Sequence, residues 1–289
     1  MAVEEVTGGP PRRRFTELPQ ALGGTDPRFA PLLMAWERYR LDQHRNPYFD
    51  RGEAALFLAR RMGQPAGRIA AHVADPGGGD EGRFGFWWVD DDAEVAAALV
   101  AAAQQWLGER GCSSMTGPWS FTEAEEAGLL VGGFDAPGLT GRPWHPPHLA
   151  SHLEAVGFYG IEDRPTWRLA VPEAADATGS LTPTSTAAPP GQAGAYADRR
   201  LVLDGIAAVP DLSDALRTSG LRSAWSLAKR ARAGEWTTAT VVRCTDDPSE
   251  AVPALRAMAG AAGYRWLVAP WTDGGGPPEA AHRIYRSDC

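Results

Sequence analysis

The sequence predicts an α/β (α+β) fold: a mixed, mostly antiparallel sheet flanked by helices, followed by a second, partial half of related design. Three observations support this fold class. A strand–helix–strand pattern occurs twice, in residues 84–119 and 239–271. Three short strand-like segments precede the first copy. A segment rich in Pro, Ala and Thr, residues 172–198, separates the copies, and it buries too little apolar surface to offset the entropy of ordering.

Each copy of the repeated unit contains a strand, an acidic turn, an Ala-rich helix, a glycine and a second strand that ends in Pro-Trp. Asp91 and Asp247 are the predicted N-caps of the two helices, each followed three residues later by a glutamate in a capping box. Asp91 lies 27 residues before Pro118, and Asp247 lies 23 residues before Pro270. The difference of four residues is about one helical turn. The helix of the first copy can therefore lengthen without rotating its apolar face.

The chain divides into four predicted segments. These are a flexible tail over 1–14, a first half over 15–171, a linker over 172–198 and a truncated second half over 199–289. The tail is predicted because its Pro, Gly and Arg residues include no periodic apolar positions. In the second half, helices are expected over 210–217 and around 221–233.

The first half begins with a predicted helix over residues 27–43. Its expected buried face contains Leu32, Leu33, Trp36 and Tyr39. Three strands follow, separated by turns rich in Gly and Pro, over 54–60, 68–73 and 83–89. Such short connections predict an antiparallel meander that leads into the repeated unit.

Composition excludes several classes of protein. The net charge of −8 argues against a broad surface for polyanions, so no DNA partner is expected. The N-terminus lacks an apolar signal core, and no run approaches the roughly 18 apolar residues of a spanning helix. We therefore expect a cytoplasmic protein with no membrane partner. Three cysteines without a CxxC pair or a histidine pair at zinc spacing predict no metal site.

Several segments resemble the GNAT acyltransferase superfamily. LFLARRMGQPAGRIAAHV is similar to its second and third strands, AALVAAAQQWLGERG to its central helix, and HPPHLASHLEAVGFYG to its closing helix and strand. NPYFDRGEAALFLARRMGQPAGRIAAHV and GPWSFTEAEEAGLLVGGFDAP resemble a group of bacterial GNAT-like proteins built as two halves. The resemblance covers about residues 15–170, and in the second half it rests on VPDLSDALR, the repeated unit and HRIYR. It implies transfer of an acyl group to an amine.

The superfamily carries a Gly-rich, basic loop before the central helix, where backbone amides hold the pyrophosphate of acyl-coenzyme A. Here residues 89–94 and 245–250 occupy the two equivalent positions, and neither segment contains glycine or arginine. Their carboxylates, including Asp91, would repel a phosphate. The cofactor is therefore unknown: acyl-coenzyme A is possible, but its phosphate-binding loop is absent.

The donor is consequently expected to be a thioester, an acyl carrier protein or an aminoacyl-tRNA. The candidate donor-binding residues are Asp91, at the start of the first repeat helix, and Arg222, Lys229 and Arg230, in a basic stretch of the second half. A solvated helix face is the alternative explanation of this stretch.

Candidate catalytic residues follow the strand that should open to hold the acceptor. Glu125 or Glu126 could serve as a general base, and Glu126 is the preferred candidate; a solvated acidic helix start is the alternative explanation. His145 could transfer a proton near neutral pH, or it could lie on a surface loop. Asp135 could position an amine or stabilise a turn. His148 would contact substrate.

Aromatic residues cluster around the predicted cleft. Trp88, Trp119 and Trp144, with Ser120, are the expected substrate-binding residues, although a Trp-rich core would give the same pattern. Trp87 and Trp88 should face opposite sides of one strand. Two hypotheses of function remain: a GNAT-type acyltransferase acting on a small-molecule amine, and a non-catalytic ligand-binding or structural relic of a tandem GNAT protein.

Overall fold

A computed structural model describes twelve segments of the chain, 1–29, 34–74, 79–121, 126–136, 138, 142–170, 216–218, 226–229, 238–241, 256, 266–269 and 276–289. The chain forms two compact units. The first comprises Met1–Gly138, Arg142–Asp163 and His282–Cys289, and the second comprises Leu139–Gly141 and Arg164–Ala281. The last eight residues therefore belong to the first unit, whereas the sequence assigned them to the second half.

The N-terminal residues are ordered, and the prediction of a flexible tail over 1–14 is wrong. Strand β1, Ala2–Glu5, pairs antiparallel with β2, Glu53–Arg61. Helix α1, Gly9–Gly23, follows and buries Phe15 and Leu18 in the core of the first unit. Two prolines at its start suit the first helical positions, where the missing N–H groups lose no intrahelical bond. Sequence periodicity missed β1 because its order comes from pairing with a distant strand.

Helix α2 spans Met34–Arg40 and is shorter than the predicted helix. Tyr39 is buried as expected. Leu32 and Leu33, and the side chain of Trp36, lie outside the described residues. A short 3-10 helix, Pro47–Asp50, comes next and is capped by Asn46, whose side chain accepts from the Tyr48 N–H.

The predicted meander is confirmed. Strand β2 pairs antiparallel with β3, Gln64–Val73, which pairs antiparallel with β4, Glu81–Val89. Helix α3, Ala93–Gly108, crosses over this sheet and contacts β2 and β3. Strand β5, Ser114–Gly117, then runs parallel to β4, the usual result of a crossover through a helix.

The first unit closes with elements from its C-terminal part. Strand β6 is Leu129–Gly132, helix α4 is His148–Ala155, and strand β7 is Tyr159–Ala170, which continues into the second unit. The last strand of the chain, β12, Ala280–Asp288, pairs antiparallel with β5 and also with β6. The sheet order β1-β2-β3-β4-β5-β12 confirms a mixed, mostly antiparallel sheet.

The second unit contains the remaining strands. They are β8, Leu216–Thr218, β9, Ser226–Lys229, β10, Thr238–Val241, and β11, Trp266–Ala269. Strands β10 and β11 are parallel, like β4 and β5, so both copies of the repeated unit contain a parallel strand pair. The end of β7 pairs antiparallel with β11.

Two helices predicted in the second unit are not helices where the structure describes them. Leu216–Thr218 and Ser226–Lys229 are strands that pair antiparallel with each other, and Ser226–Lys229 also pairs with β10. Ladder hydrogen bonds between strands distant in sequence override local helix propensity here. None of the helices in the described part of the chain has the length and hydropathy needed to cross a membrane.

Candidate active site

Strands β4 and β5 begin side by side and then separate. Their parallel register covers only Glu81–Arg83 against Ser114–Thr116, and the last contact on this edge is the Trp119 N–H donating to the Phe84 carbonyl oxygen. On the other edge of β4, the register with β3 shifts at a β-bulge that leaves Phe86 and Trp87 without partners. Phe86 has a φ of 53°, a left-handed conformation found at bulges and functional sites.

A pocket of about 500 Å³, part of which is open to solvent, occupies the space where the strands separate. Aromatic side chains dominate its wall: Phe29, Phe86, Trp87, Trp88 and Trp144. Its polar groups are few: Arg68, Ser120, Glu126 and His145. A concave, mainly apolar site with a few convergent polar groups has the usual composition of a small-molecule site.

Five of the predicted site residues therefore line one pocket. They are Trp88, Ser120, Glu126, Trp144 and His145. Trp88 packs edge-on against Phe29 and lies 5.9 Å from the His145 ring, between ring centroids. The indole N–H of Trp87 instead donates to the Leu149 carbonyl oxygen of α4. The two adjacent tryptophans thus have different partners.

Three other predicted site residues do not line this pocket. Trp119 is buried beside it, and its carbonyl oxygen accepts a hydrogen bond from His72 Nε2 at 3.0 Å. Asp135 is fully exposed, 3.8 Å from Arg28, which agrees with a surface turn. His148 donates from Nε2 to the Val89 carbonyl oxygen at 3.0 Å and so secures the start of α4 to the end of β4.

The start of α3 differs from the prediction in one residue. Asp92, not Asp91, is the N-cap: its Oδ1 accepts from the N–H groups of Glu94 and Val95 at 3.1 and 3.3 Å. Arg61 pairs with Asp92 and Glu94 at 2.9 and 2.7 Å. The backbone N–H groups that could bind a phosphate therefore already donate hydrogen bonds to the Asp92 side chain.

The other predicted donor-binding residues are dispersed. Asp91 is exposed and pairs with His152 Nε2 at 3.0 Å. Lys229 lies in β9 of the second unit, and Arg222 and Arg230 lie outside the described residues. Their roles stay predictions.

Glu126 is the only carboxylate among the pocket-lining residues described. Its Oε2 accepts from the Ser120 hydroxyl at 3.3 Å and lies 3.5 Å from Arg40 Nη2. The side chain keeps 27% of its surface exposed. Two donors thus fix this carboxylate while part of it faces the pocket.

Behind Glu126 lies a buried ion pair that the sequence analysis missed. Arg40 and Glu37, one helical turn apart in α2, are in contact and almost fully buried. The Arg40 guanidinium also packs over the Phe86 ring at 4.8 Å. Burial raises the pKa of Glu37, and the Arg40 charge opposes this shift. The three-residue spacing of Glu37 and Arg40 on a predicted helix was the available signal.

Arg68 is a second buried cation at the pocket, and it was also missed. Its Nη1 donates to the Phe15 carbonyl oxygen of α1 at 2.8 Å. That oxygen is available because the residue four positions later is Pro19, which has no N–H. Burial lowers the pKa of Arg68 to about 10, so the side chain is charged at neutral pH. The Phe15 and Phe86 rings flank the guanidinium at 5.0 and 5.6 Å.

His145 presents a hydrogen-bond donor to the pocket. Its Nδ1 accepts from the Leu130 N–H at 3.3 Å, and burial lowers its pKa to about 3. The ring is therefore neutral, and its single proton lies on Nε2. This tautomer offers an N–H group and no free lone pair, which disfavours the predicted role of proton acceptor.

His282 supports the same wall from β12. Its Nε2 donates to the Pro143 carbonyl oxygen at 2.9 Å, two residues before His145. The two imidazole centroids lie 6.2 Å apart. His282 thus fixes the segment that carries Trp144 and His145. The described residues hold no group of three or more His, Cys, Asp or Glu side chains that could bind a metal ion.

Sequence comparison finds similar proteins over about half of the chain. No family model matches the chain. A bacterial ceramide synthase from Caulobacter vibrioides is 35% identical over 156 residues, which make up 52% of this chain and 41% of that protein. Protein YghO from Escherichia coli is 35% identical over 159 residues, or 54% of this chain and 40% of that protein. The chain thus spans about two fifths of the length of these curated relatives.

Solved structures are similar over nearly the whole chain. A tandem GNAT protein from the clavulanic acid biosynthesis pathway has a TM-score of 0.57 at 13% identity, covering 99% of this chain and 98% of that one. A GCN5-related N-acetyltransferase from Anabaena variabilis has a TM-score of 0.52 at 8% identity, covering 99% of this chain and 72% of that one. The meander, the crossover helix and the separating parallel strands agree with this likeness. The chain therefore has the GNAT fold.

Proposed function

We propose that this protein is an N-acyltransferase that moves an acyl group from an activated donor to the amine of a small molecule. The observation that carries the proposal is the position of Glu126. Its carboxylate lies in an aromatic-walled pocket where β4 and β5 separate, held there by Arg40 and Ser120. A carboxylate of this kind can bind an ammonium group and accept its proton.

In the proposed reaction the acceptor amine gives a proton to Glu126 and attacks the acyl carbonyl carbon. The new C–N bond gives a tetrahedral intermediate with a negative oxygen. The C=O bond re-forms as the bond from the carbonyl carbon to the leaving group breaks, and the leaving thiolate or alkoxide takes up the proton held by Glu126. Backbone N–H groups at the β4 bulge, where Phe86 and Trp87 lack partners in β3, are candidate donors to the negative oxygen. The Nε2–H of His145 can orient a polar atom of the substrate.

The aromatic side chains that line the pocket favour a substrate that carries an apolar group. Phe29, Trp88 and Trp144 offer large, rigid contact area with few rotatable bonds. The Caulobacter relative is by name a ceramide synthase, and ceramides are N-acyl lipids. We therefore propose that the transferred acyl group is an aliphatic chain, and that the acceptor is an amine small enough to reach Glu126.

The proposal for the acyl donor is based on the residues at the start of α3. Asp92 occupies the amide groups there, and Asp90 and Asp91 are exposed beside it. A donor held by a carrier protein would not depend on this phosphate site, so an acyl carrier protein is favoured over acyl-coenzyme A as the source of the aliphatic chain. The same observation supports a second candidate function, binding of a ligand without catalysis.

Amide formation by the purified protein separates these functions. Aliphatic acyl-coenzyme A, acyl carrier protein and aminoacyl-tRNA would each be combined with a panel of primary amines, and amides would be detected by mass spectrometry. We expect an amide from at least one aliphatic donor at a rate well above that of a reaction without protein. Binding of a donor or acceptor in calorimetric titrations, with no amide from any pair, would support the non-catalytic function and contradict ours.

A further inference from the structure

Arg68 is the polar group of the pocket that the proposed reaction does not yet use. It lies on β3 directly opposite Trp88, next to the bulge of β4. Only 2% of its surface is exposed, and the residue lines the pocket. A buried cation is unfavourable unless a complementary group compensates it.

The groups that contact Arg68 compensate its buried positive charge only in part. Its Nη1 donates to the neutral carbonyl oxygens of Phe15 and Thr16, at 2.8 and 3.5 Å. Among the described residues no carboxylate forms an ion pair with it, and its Nε has no hydrogen-bond partner. The charges of Glu37 and Glu126 act on it only through space. Arg40, by contrast, contacts both of these carboxylates. Arg68 is therefore the cation available to a bound molecule.

The fold holds this guanidinium rigidly. The carbonyl oxygen freed by Pro19 in α1 binds Nη1, and the Phe15 and Phe86 rings flank the planar group. A guanidinium restrained in this way loses little conformational entropy when it binds an oxygen atom. The surrounding aromatic walls exclude water and so strengthen such an interaction.

We propose that Arg68 forms an oxyanion subsite that binds the carbonyl oxygen of the acyl group, with the acyl chain against the aromatic wall. This assignment rests on the proposed acyl transfer. When the amine attacks, the C=O electron pair moves onto that oxygen, and Arg68 stabilises the resulting negative charge. The pair returns as the leaving group departs, so no further reactant is needed. In the absence of a donor, the same subsite would bind the carboxylate of a fatty acid.

Binding of three probes of equal chain length tests the subsite in the native protein. Decanoate, decanol and decylamine would be titrated calorimetrically at neutral pH. We expect decanoate to bind at least about tenfold more tightly than decanol, because a charge-assisted hydrogen bond is stronger than a neutral one. Equal affinity for decanoate and decanol, or tightest binding of decylamine, would overturn the proposal.

Two arginine-to-methionine substitutions test whether the preference for decanoate depends on Arg68. Arg68→Met should remove the preference for decanoate, whereas Arg60→Met, which removes a half-buried arginine of β2 that pairs with Glu4, should leave it unchanged. Arg68→Lys keeps the charge and should retain part of the preference. If Arg68→Met does not fold, the Arg68→Lys protein and the probe series on the native protein still decide the question. An unchanged preference in a folded Arg68→Met protein would contradict the assignment.

The experiments distinguish failure of the Arg68 subsite from failure of the proposed acyl transfer. Decanoate binding that depends on Arg68, with no amide formed from any donor, would retain the subsite and remove the catalytic function. Amide formation with an unchanged turnover number in Arg68→Met would retain the function and overturn the assignment of Arg68.

Discussion

Glu126 depends on groups from distant parts of the chain for its position. Arg40, 86 residues earlier, lies 3.5 Å from its carboxylate, and Ser120 donates to the same oxygen. Arg40 is itself paired with Glu37. Buried ion pairs contribute little to stability compared with well-packed apolar groups, so their presence beside a pocket is better explained by the need to orient Glu126.

His145 provides a test of its proposed role as a donor. We expect His145→Phe to lower turnover by at least about tenfold, because the Nε2–H donor is lost. His145→Gln, which retains an N–H donor, should lose less. Because the pKa of His145 is about 3, its titration should produce no inflection in activity between pH 5 and 8. Kinetics of the two variants and the wild-type pH profile measure both effects. An inflection near pH 6.5 that disappears in His145→Gln would show that the ring acts as a base.

The sequence could indicate some pocket residues and not others. Trp88 lies near the end of β4, Ser120 and Glu126 follow β5, and Trp144 and His145 precede α4. The GNAT resemblance places these segments at the cleft. Arg68 could not be found in this way, because its position depends on a carbonyl oxygen freed by Pro19 in another element. His148 and Asp135 have the right residue types, but their partners lie outside the pocket.

Among the secondary-structure elements, the N-terminus of α3 affects both the stability of the protein and the choice of acyl donor. Asp92 caps the helix and pairs with Arg61. Asp92→Ala should destabilise the protein by about 1 kcal/mol, the usual effect of losing an N-cap. Asp91→Ala is the matched control, since the Asp91 side chain is 71% exposed and pairs with His152 on the surface. Its effect should stay within about 0.5 kcal/mol.

Urea unfolding followed by tryptophan fluorescence measures both differences. A larger loss of unfolding free energy in Asp91→Ala than in Asp92→Ala would show that the capping residue is assigned wrongly. A gain in affinity for acyl-coenzyme A in Asp92→Ala would support the view that this carboxylate blocks phosphate binding.

Sequence patterns predicted the elements with strong periodicity and missed those that depend on long-range pairing. The meander β2-β3-β4 and helix α3 are where alternating and helical patterns predicted them. Strand β1 is too short to show a period and is ordered through β2. Strands β8 and β9 have a basic, helix-like composition, but they pair with each other and with β10.

At the scale of the whole molecule, three buried histidines should make the protein sensitive to acid. Burial lowers the pKa values of His72, His145 and His282 to about 3. In the unfolded chain these groups have pKa values near 6.5 and bind protons first as the pH falls. The stability that they provide as neutral groups is therefore complete above about pH 6.5 and declines between pH 6.5 and 3.

Unfolding free energies at a series of pH values would show this decline. Each histidine should contribute a loss of up to about 1.4 kcal/mol per pH unit in that range. His72→Gln should reduce the steepness of the decline, even if it lowers stability at neutral pH. His44→Gln, a substitution of an exposed histidine, should leave the slope unchanged. A stability that stays constant from pH 7 to 4.5 would contradict the buried, neutral state of these rings.

The doubled pattern of the sequence corresponds to a parallel strand pair in each unit. In the first unit, the strands of this pair separate to form a pocket that has polar groups and aromatic walls. The GNAT fold could be predicted because it depends on the order of strongly patterned elements. The substrates could not, because pocket contacts arise from side chains far apart in the sequence.

The turnover number of Glu126→Gln, with the best donor and amine found in the panel, tests whether Glu126 is the base of the acyl transfer. We expect a folded protein whose turnover is at least about tenfold lower, because the amide side chain cannot accept the proton of the acceptor amine. Glu94→Gln, which removes an exposed carboxylate of α3, should keep wild-type turnover. Wild-type turnover in a folded Glu126→Gln protein would contradict acyl transfer centred on Glu126.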